Sequence, residues 1–302
     1  YRLDSFSGGV GSDRFWTLPY FLSRYNASQQ GPAAAATVPQ IPQTGYLEPK
    51  TDFLNVALSS AVAADLDKQV AELMKQSRRI QDFDKRWKVL TLLIGANDVC
   101  HGLWACNGDA EAARTNVEAS VQRLEGALQS IRGNFSRVFV NLASLFSIAS
   151  VRRLTEGHVG CTVEARLLDE CDCIDHPVSG SKITEEQLQR LDATTALWNE
   201  QLQAVAGRFN HLSADFAVVA QTRWAGQVIP DFSYLSNLDC FHPSVKAHGI
   251  MARMLWNSMF DADKQPRPIN GSMPLFCPTP DTALFSGKPS WRRSAAPSAE
   301  RE

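Results

Sequence analysis

Two side chains three positions apart, Asp239 and His242, are the strongest candidates for chemistry in this sequence. They lie on a predicted loop just before a helix-like stretch, Val245–Phe260. A carboxylate close to a histidine can hold the tautomer of the imidazole and stabilise its cation, and the imidazole can then take a proton from a hydroxyl nucleophile. The pair therefore indicates the general base of a serine ester hydrolase, with Asp239 as its orienting partner.

A side-chain amide, Asn97, follows the most strand-like segment of the chain, Trp87–Ile94, within the run Ile94-Gly95-Ala96-Asn97-Asp98. The carboxyl ends of parallel strands open into a crevice, so the amide would face that crevice. An amide N–H can donate a hydrogen bond to the oxyanion of a tetrahedral intermediate. We therefore predict Asn97 as an oxyanion donor and Asp98 as the residue that shapes the turn.

Apolar runs alternate with amphipathic stretches along the chain, as expected for strands alternating with helices. The helix predicted to begin after Thr184 has a capping box, because Gln187 stands three residues later. This order predicts an α/β fold of three layers, α/β/α, with a mainly parallel central sheet between helices. The predicted strands are 53–58, 87–94, 138–142 and 216–220, and the predicted helices are 15–25, 65–76, 110–131, 184–209 and 245–259.

Taken together, the motifs resemble those of the SGNH (GDSL-type) hydrolases, most closely the phospholipase B branch. Their order and spacing are specific, although each motif alone is weak. The resemblance implies a flavodoxin-like fold and a Ser-His-Asp type acyl-enzyme mechanism that needs no metal and no cofactor. It also implies phospholipid, lysophospholipid or acylglycerol substrates and transient contact with a membrane surface. The matching segments are Tyr1-Arg2, Ser5-Phe6-Ser7, Leu54-Asn55-Val56-Ala57, Ile94 to Cys100, Glu170-Cys171-Asp172-Cys173, Asp239-Cys240-Phe241-His242 and Cys277-Pro278.

The nucleophile of that family belongs to a Gly-Asp-Ser-Leu-like block after the first strand, upstream of the segment similar to Tyr1-Arg2. No such block occurs in this sequence. We therefore expect the chain to lack its native N-terminus, with the first strand and the nucleophile block missing. Residues 1–302 alone are then expected to dissolve poorly and to hydrolyse no ester, because the neighbouring strand would keep an unpaired edge.

A second interpretation treats Asp4-Ser5-Phe6 as a displaced Gly-Asp-Ser block with Ser5 as the nucleophile. A nucleophile elbow follows a buried strand, and only three residues precede Asp4. We favour a Ser- and Gly-rich loop at residues 5–12.

The resemblance also places a second oxyanion donor, a backbone N–H commonly contributed by glycine, after Asn55-Val56-Ala57. Here that place reads Leu58-Ser59-Ser60-Ala61, with Ser60 where glycine is expected. The backbone donor of Ser60 survives the substitution, but its Cβ restricts a positive φ.

Charge and hydropathy exclude two classes of function. A formal net charge of −2 provides no basic field for nucleic acid, which we do not expect as a partner. No run of about 18 apolar residues is present, so the chain has no segment of the kind that spans a bilayer. We expect one domain over residues 1–265 and a Pro/Ser/Arg-rich extension over residues 266–302, partly disordered.

Seven cysteines lack the spacing of a zinc site, and disulfides are the simpler explanation. Local bridges are expected, from Cys100 to Cys106 and from Cys161 to Cys171 or Cys173, and the odd count leaves a thiol unpaired or joined to a segment outside the chain. Together with three glycosylation sequons, the cysteines predict a secreted glycoprotein or a location on the extracellular face of the plasma membrane, with any anchor outside this chain. The sequons begin at Asn26, Asn134 and Asn270.

Two further functions fit the same residues. A carbohydrate or small-ester esterase could use the same scaffold. A catalytically inactive secreted homologue could instead act as a lipid-binding or interaction module, which the absent serine block and Ser60 would favour. Four aromatic residues could line an acyl-chain groove, although scattered aromatics more often belong to a core: Phe15, Trp16, Trp104 and Trp224.

Overall fold

A computed structural model describes residues 2–34, 50–158, 161, 170–175, 183–210 and 213–286. Helices and strands alternate along this part of the chain. The α-helices are α1 (Leu18–Ser23), α2 (Leu66–Ser77), α3 (Ala96–Cys100), α4 (Trp104–Asn107), α5 (Ala110–Asn134), α6 (Ala149–Thr155), α7 (Asp172–Asp175), α8 (Glu185–Phe209) and α9 (Val245–Phe260), and the strands are β1 (Lys88–Leu92), β2 (Val138–Ala143) and β3 (Phe216–Gln221).

The three strands form one parallel sheet in the order β1-β2-β3. Lys88 of β1 pairs with Val138 of β2, which pairs in turn with Phe216 of β3. All three strands therefore end at the same edge of the sheet. The predicted parallel sheet between helices is confirmed.

Alternate side chains of β2 define the two faces of the sheet, because successive residues of a strand point to opposite sides. Val138, Val140 and Leu142 pack with α2, α5 and α8 on one face. Phe139 and Ala143 pack with α1 and α9 on the other face. Every residue of β2 is buried, as expected for the central strand of a three-layer α/β/α fold.

Capping residues fix where the long helices begin. Thr184 accepts a hydrogen bond from the backbone N–H of Gln187, and the Gln187 side chain returns to the backbone of Thr184, so the predicted capping box is present at the start of α8. The hydroxyl of Ser244 accepts the N–H of Ala247 at the start of α9. This cap sets the point where the His242 loop ends.

The predicted strand at 53–58 is wrong. The segment is a turn followed by irregular chain, with Phe53 at a φ of +50°. Its backbone N–H groups form hydrogen bonds with loops and not with a strand. Leu54 N–H donates to the carbonyl of Gly31, and Asn55 N–H donates to the carbonyl of Asp52. The segment is apolar at every position except Asn55, which is typical of a buried strand, but within the described ranges no strand pairs with it.

The outer edge of β1 is open among the residues that the structure describes. The five residues of β1 are all half-buried, in contrast to the fully buried β2. Because β1 is the terminal strand of the sheet, no described strand pairs with the backbone groups on its outer side.

Residues 261–286 continue beyond α9 and return along it. Trp256 Nε1 donates to the carbonyl of Phe276 at 2.8 Å, and Arg253 donates to the carbonyls of Gly271 and Met273. Residues 287–302, the rest of the predicted extension, lie outside the described residues.

Candidate active site

The loop that carries His242 is closed at its base by backbone hydrogen bonds. Leu235 and Pro243 form an isolated antiparallel bridge, and Ser236 N–H donates to the carbonyl of His242 at 2.8 Å. Cys240 N–H donates to the carbonyl of Ser236 at 2.9 Å. These backbone hydrogen bonds therefore fix the conformation of the His242 loop.

Asp239 holds the imidazole of His242 from the Nδ1 side. Its Oδ2 lies 3.0 Å from Nδ1 of His242, and its Oδ1 accepts the backbone N–H groups of Phe241 and His242, each at 2.9 Å. Burial raises the pKa of Asp239, but the hydrogen bonds and the charge of His242 lower it below its ordinary value. Asp239 is thus both a turn-forming residue and an ionised partner of the imidazole.

A second carboxylate, Glu170, lies beside the opposite nitrogen of the ring. Its Oε2 is 3.9 Å from Nε2 of His242, whose side chain is 56% exposed. Partial burial lowers the pKa of His242, but the hydrogen bond and charge of Asp239 and the charge of Glu170 raise it above its usual value. Burial raises the pKa of Glu170. Sequence reasoning gave Glu170 no role, although it stands directly before Cys171 in a matching motif.

Disulfides join the segments of the site, and the predicted local pairings are wrong. The three bridges span 67 to 79 residues, because the fold brings separate loops together at one edge of the sheet. Cys277 is a free, exposed thiol. The bridges are Cys100–Cys171, Cys106–Cys173 and Cys161–Cys240.

Two of these bridges bear on the candidate site. Cys161 holds Cys240 inside the His242 loop, so Cys240 is paired as well as buried. Cys171, next to Glu170, is bonded to Cys100 on α3, the short helix that carries Asn97. The Cys100–Cys171 bridge therefore joins the segment that carries Glu170 to the helix that carries Asn97.

Asn97 lies in the first turn of α3, which follows β1. Its Nδ2 donates to the carbonyl of Ala61 at 3.0 Å, so the turn that contains Ser60 is fixed against it. An asparagine amide has two N–H donors, and among the described residues only Ala61 accepts a hydrogen bond from Asn97. Asp98 shapes the turn as expected: it accepts the N–H of Ala63 at 2.9 Å and the hydroxyl of Ser120 at 2.7 Å.

Ser60 adopts the left-handed conformation that normally favours glycine, with a φ of +57°. It is exposed, in a turn one residue before Ala61. Ser60 therefore occupies a backbone conformation that is strained for a residue with a Cβ and that glycine adopts freely.

Ser5 lies in a turn, where its carbonyl accepts the N–H groups of Gly8 and Gly9. The predicted Ser/Gly-rich loop is what the structure shows. Nδ1 of His248, on α9, accepts the N–H of Phe6 at 3.3 Å, and the two rings stack. Burial lowers the pKa of His248 to about 4. His248 is therefore a neutral residue that packs against Phe6.

The ligand atoms of Glu170, Asp239 and His242 lie within 4.8 Å of one another, a spacing that could hold a metal ion. The hydrogen bond from Nδ1 to Asp239 and the charge of Glu170 already account for their arrangement. The site geometry is thus compatible with proton transfer by His242 alone.

An imidazole held by a carboxylate on a loop after β3, and an amide after β1, are features of acyl hydrolases with an α/β/α fold. The chain belongs to the family of GDSL-like lipases and acylhydrolases, which it matches over residues 4–255.

Curated relatives of the chain are phospholipases. It is similar to human membrane-associated phospholipase B1, with 30% identity over 297 residues and 92% of the chain covered. It is 28% identical to the mouse protein of the same name over 267 residues, with 84% of the chain covered. The chain spans about a fifth of the length of these relatives, 19% of the human protein and 16% of the mouse protein. None of the described helices is both long enough and apolar enough to cross a membrane.

Proposed function

We propose that this chain forms the hydrolytic site of a phospholipase B-type enzyme that cleaves carboxylic esters of phospholipids, lysophospholipids or acylglycerols. The observation that carries the proposal is the 3.0 Å contact between Asp239 and Nδ1 of His242 in a chain of the lipase family. Because Asp239 occupies Nδ1, the proton must be exchanged at Nε2, the nitrogen that faces away from Asp239.

The reaction would proceed through an acyl-serine. His242 accepts the proton of a serine hydroxyl as the hydroxyl attacks the ester carbonyl, and then donates it to the leaving alcohol. Water attacks the acyl-serine with the same residue as base. The free N–H of Asn97 and the backbone N–H of Ser60 are the proposed donors to the oxyanion, and the loss of one such donor in acyl transfer costs on the order of 3 kcal/mol of barrier.

We propose that the serine belongs to a strand-and-turn segment that pairs with the open edge of β1. Among the described residues, no hydroxyl lies within hydrogen-bond distance of Nε2 of His242. A strand added outside β1 would end at the edge of the sheet where Asn97 follows β1. Residues 1–302 alone would then keep the edge of β1 open and hydrolyse no ester.

An extracellular location and transient contact with a membrane surface are part of the same proposal. The three disulfides require an oxidising compartment to persist. The sequon asparagines Asn26, Asn134 and Asn270 are all exposed, as glycosylation requires.

Labelling with a fluorophosphonate tests the proposal. The protein would be produced at its full native length in a secretory host, labelled and digested, and the modified serine located by mass spectrometry. We expect one labelled serine outside residues 1–302, with labelling lost in His242→Gln and retained in His248→Gln. A label on Ser5 would assign the nucleophile to that residue, and no label at all would favour an inactive lipid-binding homologue.

A further inference from the structure

Three side chains that can bind a metal ion converge at the candidate active site. One ligand atom from each of Glu170, Asp239 and His242 lies within 4.8 Å of the other two. Imidazole nitrogen suits zinc and other transition metals, and zinc also accepts carboxylate oxygen. The groups that hold the catalytic imidazole therefore also have the chemistry of a zinc site.

Asp239 prepares Nε2 of His242 as a metal ligand. Oδ2 of Asp239 lies 3.0 Å from Nδ1, so it accepts the N–H of that nitrogen in the tautomer that leaves the lone pair on Nε2. In metal sites a carboxylate commonly accepts the other N–H of a ligating histidine, which orients the ring and makes it a stronger ligand. The His242 side chain is exposed, so an ion can reach Nε2 from solvent.

Glu170 supplies a second ligand atom at a distance that one ion can bridge. Its Oε2 lies 3.9 Å from Nε2 of His242. Zinc binds imidazole nitrogen and carboxylate oxygen at about 2.0–2.2 Å, so a single ion can contact two such atoms that are up to about 4 Å apart. Both side chains are at least partly exposed, which lets water complete the coordination of the ion.

A second pair of metal-ligating side chains lies next to Glu170. The disulfide between Cys100 and Cys171 brings their chain neighbours together, so Nδ1 of His101 lies 3.7 Å from Oδ2 of Asp172. Glu170 is the other neighbour of Cys171, and the charge of His101 acts on its carboxylate. The disulfide therefore fixes the segment that carries Glu170 close to a second imidazole.

We propose that Glu170 and Nε2 of His242 bind a Zn²⁺ ion that inhibits the enzyme, while Asp239 keeps its hydrogen bond to Nδ1. The inference rests on the proposed function, since it describes the regulation of the same base. An ion on Nε2 occupies the lone pair that must accept the proton of the serine, so bound zinc and proton transfer exclude each other. The ion takes no part in hydrolysis.

Titration of the full-length protein with zinc chloride, followed by calorimetry, tests the site without any turnover. We expect Glu170→Gln to weaken zinc binding at least tenfold and His242→Gln to remove this binding site, because each variant lacks one of the two ligand atoms. Glu186→Gln and His248→Gln are the matched controls, since Glu186 is exposed on α8 and Nδ1 of His248 accepts a backbone N–H. Their zinc affinity is expected to equal that of the unmodified protein.

The imidazole resonances of His242 and His248, observed by NMR, distinguish this site from any other zinc ligand of the full-length protein. We expect zinc to shift the His242 resonances, with half of the shift at the Kd from calorimetry, and to leave His248 unchanged. Mg²⁺ and Ca²⁺ should shift neither histidine, because hard cations prefer oxygen ligands to imidazole. The proposal is overturned if zinc at about 1 mM, a concentration that detects even weak binding, does not shift His242, or if Glu170→Gln keeps its full zinc affinity.

Inhibition of ester hydrolysis is the functional measurement of the same site. We expect the zinc concentration that halves kcat/KM to equal the Kd from calorimetry, and a chelator to restore activity. Hydrolysis that continues unchanged at saturating zinc would overturn the proposal. Zinc binding that depends on Glu170 and His242 in a protein without any hydrolysis would keep the metal site and contradict the proposed function, so the two failures are distinguishable.

Discussion

Glu170 and His242 face each other across 3.9 Å, with the Glu170 carboxylate at the imidazole nitrogen that Asp239 leaves unoccupied. The imidazole therefore lies between two carboxylates. This arrangement stabilises the imidazolium form, so it favours the step in which His242 accepts a proton. It also raises the pKa of His242, so the imidazole becomes a neutral base only at a higher pH.

Glu170→Gln is expected to lower the pKa of His242, since it removes a negative charge that stabilises the imidazolium. The neutral base would then be present at lower pH, and the acidic limb of the pH profile of kcat/KM would move to lower pH. Titration of the imidazole carbon resonance of His242 by NMR measures the same pKa directly.

Glu186→Gln is the control for that measurement, because Glu186 pairs with Arg190 on the exposed side of α8. An unchanged or raised His242 pKa in Glu170→Gln would show that Glu170 does not act on the imidazole.

Gly95→Ala is expected to destabilise the fold severely. A Cβ at Gly95 would come within 2.1 Å of the Trp198 ring, and the φ of +108° is strained for any residue with a side chain. Strain and overpacking together should cost about 3 kcal/mol or more of the free energy of unfolding. Gly126→Ala on α5 meets no atom within 4 Å and should gain about 0.5–1 kcal/mol. Denaturant titration compares the two variants, and equal stabilities would contradict this account of Gly95.

Ser60→Gly should preserve or improve hydrolysis, because glycine adopts the observed φ of +57° without strain. Ser60→Val should lower the free energy of unfolding by about 1–2 kcal/mol and reduce turnover about tenfold, since a β-branched residue resists that conformation. Ser59→Val is the neighbouring control. Equal turnover in Ser60→Val and Ser59→Val would remove Ser60 from the oxyanion site.

His248 should make the protein less stable in mild acid. Its pKa falls from 6.5 to about 4 on folding, so between these values the unfolded chain binds more protons than the folded chain. Stability then declines as the pH falls from about 6.5 to about 4, by about 3 kcal/mol at most. In His248→Gln, whose amide oxygen can still accept the N–H of Phe6, the slope of stability against pH should flatten. The same slope in both proteins would contradict the half-buried, neutral state of His248.

Elements with long periodic patterns were predictable from the sequence. The apolar stripe of α5 and the capping box of α8 are local signals, and both helices form where these signals place them. The false strand at 53–58 shows the limit of such signals, because a strand also needs a neighbour to pair with. Its nearly continuous apolar run resembles a buried strand, but no described strand forms hydrogen bonds with it.

The Asp239–His242 pair was predictable because a spacing of three residues on one loop brings the two side chains together. The contact between Glu170 and His242 was not predictable, because it depends on how a distant loop is folded. The disulfides depend on the same long-range arrangement. Cys100 lies six residues from Cys106 in sequence but is bonded to Cys171, a partner that only the folded chain brings near.

Hydrolysis of lysophosphatidylcholine by the full-length protein and its His242→Gln variant tests the central claim most directly. We expect His242→Gln to lower kcat/KM by at least about 10³-fold, because the serine would lose its base, and His248→Gln to remain within a few-fold of the unmodified protein. If His242→Gln kept its activity within tenfold while both variants remained folded, the assignment of the Asp239–His242 pair as the base of this site would be contradicted.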